Sequence, residues 1–315
     1  MRSRAAATAL RVVVLAGGDS AEREISLASG RNVARALAKA RHNVAVIDPA
    51  KEPLDSIDWR RFDVCFVALH GGAGEDGRVQ AMLESIGIPY TGSGPAASGL
   101  AMSKTASKEC FLSAGVPTPA FATFDSRDPI AEVTAKVAAL GYPIIIKPDS
   151  QGSSLGISCA RTPADLARSL EECLRFDSMG LAEKKVEGRE FTVAVLDRRP
   201  LPLLEIVGLE GIFSFDCKYQ DQSIEHRFDF DLSLRDVRRL ESAAVAAVEA
   251  IGTSGLARVD LMLDRVNEPW VLEVNTSPGM TERSLAPDAA ARAGLEMPAL
   301  CDQLIRECLS LEYSS

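Results

Sequence analysis

Two neighbouring segments near the C-terminal end of the chain alternate polar and apolar residues in the way that half-buried strands do. They cover residues 257–264 and 270–275, and the polar, turn-like linker 265–269 joins them. Because side chains alternate between the two faces of a strand, each segment has one polar and one apolar face. The apolar residues expected to face a core are Val259, Leu261, Val271, Leu272 and Val274. The pattern predicts a β-hairpin with one charged face.

The charged face of this hairpin brings four polar side chains together. A turn centred in the linker pairs Asp260 with Glu273 and Arg258 with Asn275. Burying two carboxylates costs free energy unless something compensates their charge. A hard divalent cation with a phosphate ligand would do so, because Mg²⁺ takes oxygen donors and keeps substrate phosphates as partners. The hairpin therefore predicts a metal and phosphate site, and the alternative is an exposed polar sheet face.

The first hundred residues alternate strand-like and helix-like segments. In chain order the pattern predicts a strand at 12–16, a helix at 25–40, and strands at 43–47 and 64–69. This order is typical of a parallel sheet, in which ligands bind beyond the carboxyl ends of the strands. Two glycine-rich segments, 17–22 and 70–77, lie at such ends.

The rest of the chain predicts two further units. We expect helices at 104–114, 236–251 and 298–309, strands at 143–147, 181–185 and 190–196, and a flexible polar loop at 148–156. A chain of 315 residues is long enough to form two or three domains or subdomains. The three predicted units span residues 1–102, 103–189 and 190–315.

Composition argues against several classes of function. A net charge of −9 and a pI of about 5.1 disfavour nucleic acid or an anionic membrane as the main partner. The seven cysteines are scattered and form no Cys-x-x-Cys pair, which disfavours disulfides and zinc and favours a reducing cytoplasm. The apolar start contains Arg11 and leads straight into Gly17, so we expect a buried strand there rather than a secretion signal. No segment is apolar enough to span a membrane.

A series of short motifs resembles the D-alanine–D-alanine ligases of the ATP-grasp superfamily. The motifs are Gly-Gly-Asp-Ser-Ala-Glu-Arg-Glu-Ile-Ser-Leu at 17–27, Ala-Leu-His-Gly at 68–71, Gly-Glu-Asp-Gly at 74–77, Pro-Tyr-Thr-Gly-Ser-Gly at 89–94, Lys-Pro and Gly-Ser-Ser-Leu-Gly within 147–156, Glu-Phe-Thr-Val-Ala at 190–194 and Asn-Thr-Ser-Pro-Gly-Met-Thr at 275–281. The resemblance covers all but the first few residues. It implies an α/β and α+β fold, with a Rossmann-like parallel-sheet domain for substrate followed by a two-subdomain ATP-grasp fold.

The resemblance also implies a reaction and its residues. ATP would phosphorylate the carboxylate of one D-alanine, and the amine of a second would attack the acyl phosphate, giving D-alanyl-D-alanine for peptidoglycan. Two Mg²⁺ or Mn²⁺ ions would be held by Asp260, Glu273 and Asn275. The implied catalytic residues are Glu22, Ser153, Tyr219, Arg258 and Gly279. The implied ATP contacts are Lys104, Lys147, Gly152, Ser153, Ser154, Glu183, Lys184, Val186 and Glu190. The implied substrate contacts are Glu22, His70, Lys218, Ser284 and Leu285.

Ordinary structural roles compete with the implied roles at four positions. Lys104 could be a surface lysine, since Lys108 lies one turn along the same helix face. Glu22 could be a carboxylate favoured by a helix start, and His70 a structural histidine. Arg258 could form a salt bridge to Asp260 or Glu273.

Two positions depart from the family pattern, and one pair bears on specificity. Lys185 stands where the family usually has an aromatic residue, and Ser150 stands where it often has a basic one. The pair 218–219, Lys-Tyr, resembles that of the family members that use D-alanine. The alternatives are a sister ligase that uses D-lactate or D-serine, and an inactive ATP-binding regulatory module. By resemblance we expect a cytoplasmic homodimer that binds D-alanine and ATP, with no nucleic acid or membrane partner.

Overall fold

Three sheets follow one another along the protein. The computed structural model describes residues 8–152, 155–208 and 225–311. Within them the sheets fall at 11–67, 121–184 and 188–275. The mixture of one parallel sheet and two antiparallel sheets is the predicted fold class, which is confirmed.

The first sheet is parallel and has the strand order β2-β1-β3. Its strands are buried apolar runs, and the glycine-rich segments follow β1 and β3 at their carboxyl ends, as predicted. The elements of this part are β1 Arg11–Leu15, α1 Arg23–Lys39, β2 Asn43–Ile47, β3 Val64–Val67, α2 Arg78–Ile86 and α3 Pro95–Met102.

The second sheet is antiparallel, with the order β4-β7-β5-β6. One face packs Ile144 and Ile146 into a core with the two helices that follow β4 and β6. The opposite face carries Lys147 and Glu183. Each of them directly follows a core residue, and successive side chains on a strand point to opposite faces. The elements are α4 Lys104–Ser113, β4 Phe121–Asp125, α5 Ile130–Ala138, β5 Ile144–Pro148, β6 Ser158–Ala160, α6 Pro163–Cys173 and β7 Met179–Lys184.

The third sheet has the order β11-β10-β8-β12-β13, with β9 paired to β8. Its longest helix, α7, begins where the Ser233 hydroxyl accepts the Asp236 N–H and ends at Gly252 in a left-handed conformation. The elements are β8 Gly188–Leu196, β9 Arg199–Pro200, β10 Leu204–Val207, β11 Glu225–Arg227, α7 Leu234–Ile251, β12 Leu256–Asp264, β13 Pro269–Asn275, α8 Leu285–Arg292 and α9 Met297–Leu311.

The final helix ties the C-terminal part of the chain back to the first sheet. Leu300 and Ile305 on α9 share a core cluster with Val33 on α1 and Val64 on β3. His42 adds a 2.8 Å contact from its Nε2 to an Asp302 carboxylate oxygen. The first and third sheets therefore meet across one buried core.

The β12–β13 hairpin has the predicted register at its charged end. Arg258 lies opposite Asn275, and Asp260 lies opposite Glu273. The register then shifts, so that Leu261 pairs with Val271. Leu272 is the extra residue of this bulge and is half-buried, so the prediction that it belongs to the core is wrong. Val259, Leu261, Val271 and Val274 are buried as expected.

The other predicted elements are observed with small changes at their ends. The predicted helix 236–251 begins two residues earlier at Leu234, and the predicted strand 143–147 is shifted to Ile144–Pro148. In the part of the chain that the structure describes, no helix is long and apolar enough to cross a membrane.

Candidate active site

The charged face of the hairpin is built around Asp260. The Arg258 guanidinium donates to both Asp260 oxygens at 2.9 and 2.8 Å, and the Thr192 hydroxyl on β8 donates to Oδ1 at 2.7 Å. Asp260 is buried, so the alternative of an exposed polar face does not apply to it. The salt bridge considered for Arg258 is present, and it supplies the counter-charge that a buried carboxylate needs.

Glu273 and Asn275 complete the oxygen donors on this face. The Asn275 side-chain oxygen accepts the Ser277 N–H at 2.8 Å, which fixes the amide and leaves one lone pair for another partner. Two carboxylates and an amide are hard oxygen donors of the kind that Mg²⁺ or Mn²⁺ accepts. Among the described residues no group of three or more His, Cys, Asp and Glu side chains is placed to hold a metal ion. A metal here would therefore need phosphate or water oxygens as well, which Mg²⁺ commonly uses.

Three lysines of the second unit lie near this face. Lys104, Lys108 and Lys147 are all buried, so the alternative of an ordinary surface lysine is wrong for Lys104. Burial lowers the pKa of Lys104, and the nearby negative charge of Glu273 acts in the opposite direction. Lys104 Nζ donates to the Gln151 carbonyl at 2.6 Å. Lys104 and Lys108 lie in the first half of α4, and Lys147 lies near the end of β5. Lys108 and Lys147 meet at one carboxylate.

Glu183 is the carboxylate that these lysines share. It forms ion pairs with Lys108 through Oε1 and with Lys147 through Oε2. Burial alone would raise the pKa of Glu183, but the two ammonium groups outweigh it and lower the pKa to about 2. Burial would lower the pKa of Lys147, yet the attraction of Glu183 and Glu273 raises it. Three ammonium groups and three carboxylates, those of Glu183, Asp149 and Glu273, thus lie close together, and the ammonium groups are the part of this cluster that an anionic phosphate would contact.

The loop after β5 is anchored by side chains that the sequence reasoning missed. Asp149 accepts the Ser103 hydroxyl at 2.8 Å and the Thr105 N–H at 2.8 Å, at the start of α4. Ser150 donates its N–H to Asp177 at 2.8 Å and its hydroxyl to the same oxygen at 2.5 Å. Ser150 therefore has an anchoring role at the position where the family often has a basic residue.

Glu22 lies beside two glycines from different parts of the chain. A Cβ built on Gly71 would lie 2.6 Å from the Glu22 Oε2 atom, and one built on Gly152 would lie 3.1 Å from it. Gly71 also has a φ of +66°, which glycine adopts most readily. Glu22 is buried immediately before α1, so both the helix-start role and the substrate role fit its position. Its carboxylate therefore lies close to Gly152 in the loop that follows β5.

His70 joins the first sheet to the loop after β13. Its Nε2 atom lies 2.9 Å from the Ser29 hydroxyl, and its Nδ1 atom lies 3.1 Å from the Ser277 carbonyl. The Ser29 hydroxyl in turn accepts the Met280 N–H at 3.1 Å. An Nδ1–H donor and an Nε2 acceptor satisfy all these contacts. Both ring nitrogens of His70 therefore have protein partners, which favours the structural role over proton transfer.

A cavity of about 970 Å³ lies between α1 and the hairpin. Its lining includes the predicted site residues Glu190, Arg258, Asp260, Gly279, Ser284 and Leu285. A Cβ on Gly279 would lie 2.8 Å from the Ser284 hydroxyl oxygen, so only glycine fits there without a shift. The Ser284 hydroxyl also accepts the Thr281 N–H at 2.9 Å and closes the loop that leads into α8.

The remaining predicted residues lie at the edge of this arrangement or outside it. Lys184 is exposed at the end of β7, and Val186 is half-buried in the connection to β8. Ser153, Ser154, Lys218 and Tyr219 lie outside the described residues. A more open hollow of about 670 Å³ flanks Arg235 and Arg238 on α7, and none of the predicted site residues lines it.

Lys108 and Thr192 are further residues that the sequence reasoning did not assign to the site. Lys108 carried a usable signal, because it follows Lys104 by four residues and must share its helix face. Thr192 carried a weaker signal, since it lies within the Glu-Phe-Thr-Val-Ala motif but is an ordinary strand residue by itself.

The lysines belong to the unit built on the second sheet, and the oxygen donors lie on the hairpin of the third sheet. Two antiparallel sheets that carry these groups are the arrangement of an ATP-grasp enzyme. Comparison with known proteins identifies the family. The D-ala D-ala ligase N-terminus model matches residues 49–93, and the D-ala D-ala ligase C-terminus model matches residues 110–306. The chain belongs to the D-alanine–D-alanine ligase family.

Proteins related in sequence and solved structures of similar fold match almost the full length of the chain. The D-alanine–D-alanine ligase of Synechococcus sp. (strain JA-2-3B'a(2-13)) is 43% identical over 95% of this chain and 93% of its own. The Nitrosomonas europaea ligase is 42% identical over 96% of this chain and 98% of its own. The crystal structure of the Bacillus anthracis ligase complexed with ATP has a TM-score of 0.85 and 32% identity, over 97% of this chain and 99% of that chain.

Proposed function

We propose that this protein joins two D-alanine molecules to D-alanyl-D-alanine and cleaves ATP to ADP and phosphate. A carboxylate oxygen of the first D-alanine attacks the γ-phosphorus, and ADP leaves. The amine nitrogen of the second attacks the acyl carbon and loses a proton, and phosphate leaves. The observation that carries this proposal is the partly buried hairpin face of Arg258, Asp260, Glu273 and Asn275 near the lysines of the second unit.

Each half of the reaction has residues suited to it. Lys104 and Lys147 would hold the phosphates of ATP, because buried ammonium groups attract anions strongly where water is scarce. Glu22 would accept the ammonium of the first D-alanine. Arg258 and the Gly279 N–H would face the oxyanion that develops at the attacked carbonyl.

Positioning accounts for much of the catalysis in such a transfer. Asp260, Glu273 and Asn275 would hold Mg²⁺ or Mn²⁺, which when bound neutralises phosphate charge. Ser284 and Leu285 begin α8 at the wall of the cavity and would receive the second D-alanine. Lys218 and Tyr219, assigned by resemblance, would complete that subsite.

A charge-removing substitution in the hairpin tests the site. Glu273→Gln keeps the size of the side chain but removes the carboxylate, so we expect the loss of nearly all D-alanine-dependent ADP release while the fold is retained. Glu268→Gln is the matched control, because Glu268 lies in the same hairpin, is half-exposed and pairs with Arg239. Near-normal turnover by Glu273→Gln would refute the metal assignment.

Two further features of the proposal concern the whole protein. We infer a cytoplasmic enzyme that supplies peptidoglycan precursors, because the seven cysteines are scattered along the sequence and form no Cys-x-x-Cys pair. A homodimer is the expected assembly, and sedimentation equilibrium would test it by the measured mass.

A further inference from the structure

Lys108 is a buried lysine next to the nucleotide residues, and the proposed reaction gives it no role. Its side chain is 1% exposed. Its Nζ atom pairs with Glu183 Oε1, donates to the Thr118 hydroxyl oxygen at 2.5 Å and lies 5.5 Å from the centre of the Phe121 ring. The Thr118 hydroxyl donates onward to the Val271 carbonyl at 2.8 Å. Lys108 is therefore fixed on several sides, with its charge directed at Glu183.

Glu183 and the phosphates of a bound nucleotide would compete for the ammonium group of Lys147. Lys147 pairs with Glu183 Oε2. In the proposed reaction the ammonium of Lys147 also serves the phosphates of ATP. A buried carboxylate that loses its only cation becomes protonated or destabilises the site. Glu183 has a second cation in Lys108, and Thr118 and Phe121 hold that cation in place.

Glu183 also keeps hydrogen-bonding capacity. Its Oε1 atom is held by Lys108, and its Oε2 atom, which pairs with Lys147, becomes available as an acceptor once Lys147 engages the phosphates. An ionised carboxylate can only accept hydrogen bonds. Such an oxygen can accept an N–H from the 6-amino group of adenine, whereas the 6-oxo group of hypoxanthine or guanine would repel it.

We propose that Lys108 is a positioning residue: its ammonium keeps Glu183 an ionised acceptor while Lys147 engages the phosphates, and this makes the site select adenine over 6-oxo purine nucleotides. The inference rests on the proposed function, because it takes the Glu183 position as the adenine site. It adds to that function a residue that controls which nucleobase is accepted.

The test compares the binding of ATP and inosine triphosphate, which differ at the 6-position of the base. Dissociation constants are measured by calorimetry with Mg²⁺ and without D-alanine, so no turnover is needed. We expect Lys108→Met to weaken ATP binding at least about tenfold and to change inosine triphosphate binding much less. The preference for ATP over inosine triphosphate should therefore be largely lost. Lys136→Met is the matched control, because Lys136 is an exposed lysine of α5 in the same unit and should leave the preference unchanged.

A second variant keeps the test decisive if Lys108→Met does not fold. Thr118→Val removes the hydroxyl that fixes the ammonium but leaves its charge, so we expect a smaller shift in the same direction. Equal weakening of both nucleotides, with an unchanged preference, would show that Lys108 only supports the fold and would overturn the proposal. A protein that selects ATP normally but shows no D-alanine-dependent turnover would contradict the proposed ligation, while the ATP-binding part of the proposed function, on which this inference rests, would stand.

Discussion

Removing the Ser29 hydroxyl should weaken both the fold and the reaction. Ser29 is fully buried on α1, and its oxygen links His70 Nε2 at 2.9 Å to the Met280 N–H at 3.1 Å. In Ser29→Ala both groups lose this partner. An unsatisfied buried N–H costs about 1–3 kcal/mol, and the better helix propensity of alanine returns up to about 0.5 kcal/mol. We therefore expect the free energy of unfolding to fall by roughly 2 kcal/mol.

The same substitution should reduce kcat/KM for D-alanine. Met280 follows Gly279, whose N–H is the proposed oxyanion donor, so a loosened Met280 displaces that donor. Displacements of about 1 Å at a reacting centre can cost up to about 100-fold in rate. Urea denaturation followed by circular dichroism measures the stability, and coupled ADP release measures the kinetics.

A matched serine separates this network from a general effect of the substitution. Ser113 is exposed near the end of α4, and its hydroxyl bonds only the Glu109 carbonyl among the described residues, at 2.8 Å. Ser113→Ala should change stability by less than about 0.5 kcal/mol and leave kcat/KM unchanged. The reasoning would be refuted if Ser29→Ala also stayed within those limits.

Two further substitutions test the space around Glu22 and the response of the fold to acid. Gly71→Ala should raise the KM for D-alanine at least about tenfold, because its Cβ would press on the Glu22 carboxylate. Gly87 also has a positive φ, but it lies in the left-handed helical region and in open space, so Gly87→Ala should cost only about 1 kcal/mol of stability and leave the KM unchanged. Similar KM values for the two variants would contradict this. The Arg23 hydrogen bond lowers the Asp48 pKa from 3.8 to about 2, so its stabilisation is present above about pH 4 and is lost as the pH falls towards about 2. In Asp48→Asn the free energy of unfolding should fall less steeply between about pH 5 and pH 3, and an unchanged slope would remove Asp48 from the acid response.

The hairpin register was predictable, but its bulge was not. Alternation and the length of the linker were enough to place Asp260 opposite Glu273. The bulge at Leu272 left no sign in the sequence, because Leu272 is apolar like its core neighbours and its exposure depends on the local pairing.

The burial of the lysines and the partners of His70 depend on contacts between distant segments. Helical spacing showed that Lys104 and Lys108 share a face, but the second sheet decides that this face is buried. The partners of His70 lie 41 and 207 residues away along the chain. Local patterns carry no information about such separations, so the sequence left open whether His70 has a structural or a catalytic role.

The central claim is that the site uses ATP to join D-alanine to D-alanine, and acceptor-dependent ADP release tests it most directly. The purified protein is assayed with ATP and Mg²⁺, with D-alanine alone or with D-serine, D-lactate or L-alanine added. We expect saturable ADP release with D-alanine alone, with one D-alanyl-D-alanine formed per ADP, and no gain from L-alanine. A preference for D-lactate or D-serine as acceptor would indicate a sister ligase. No D-alanine-dependent ADP release in the presence of Mg²⁺ would contradict the account.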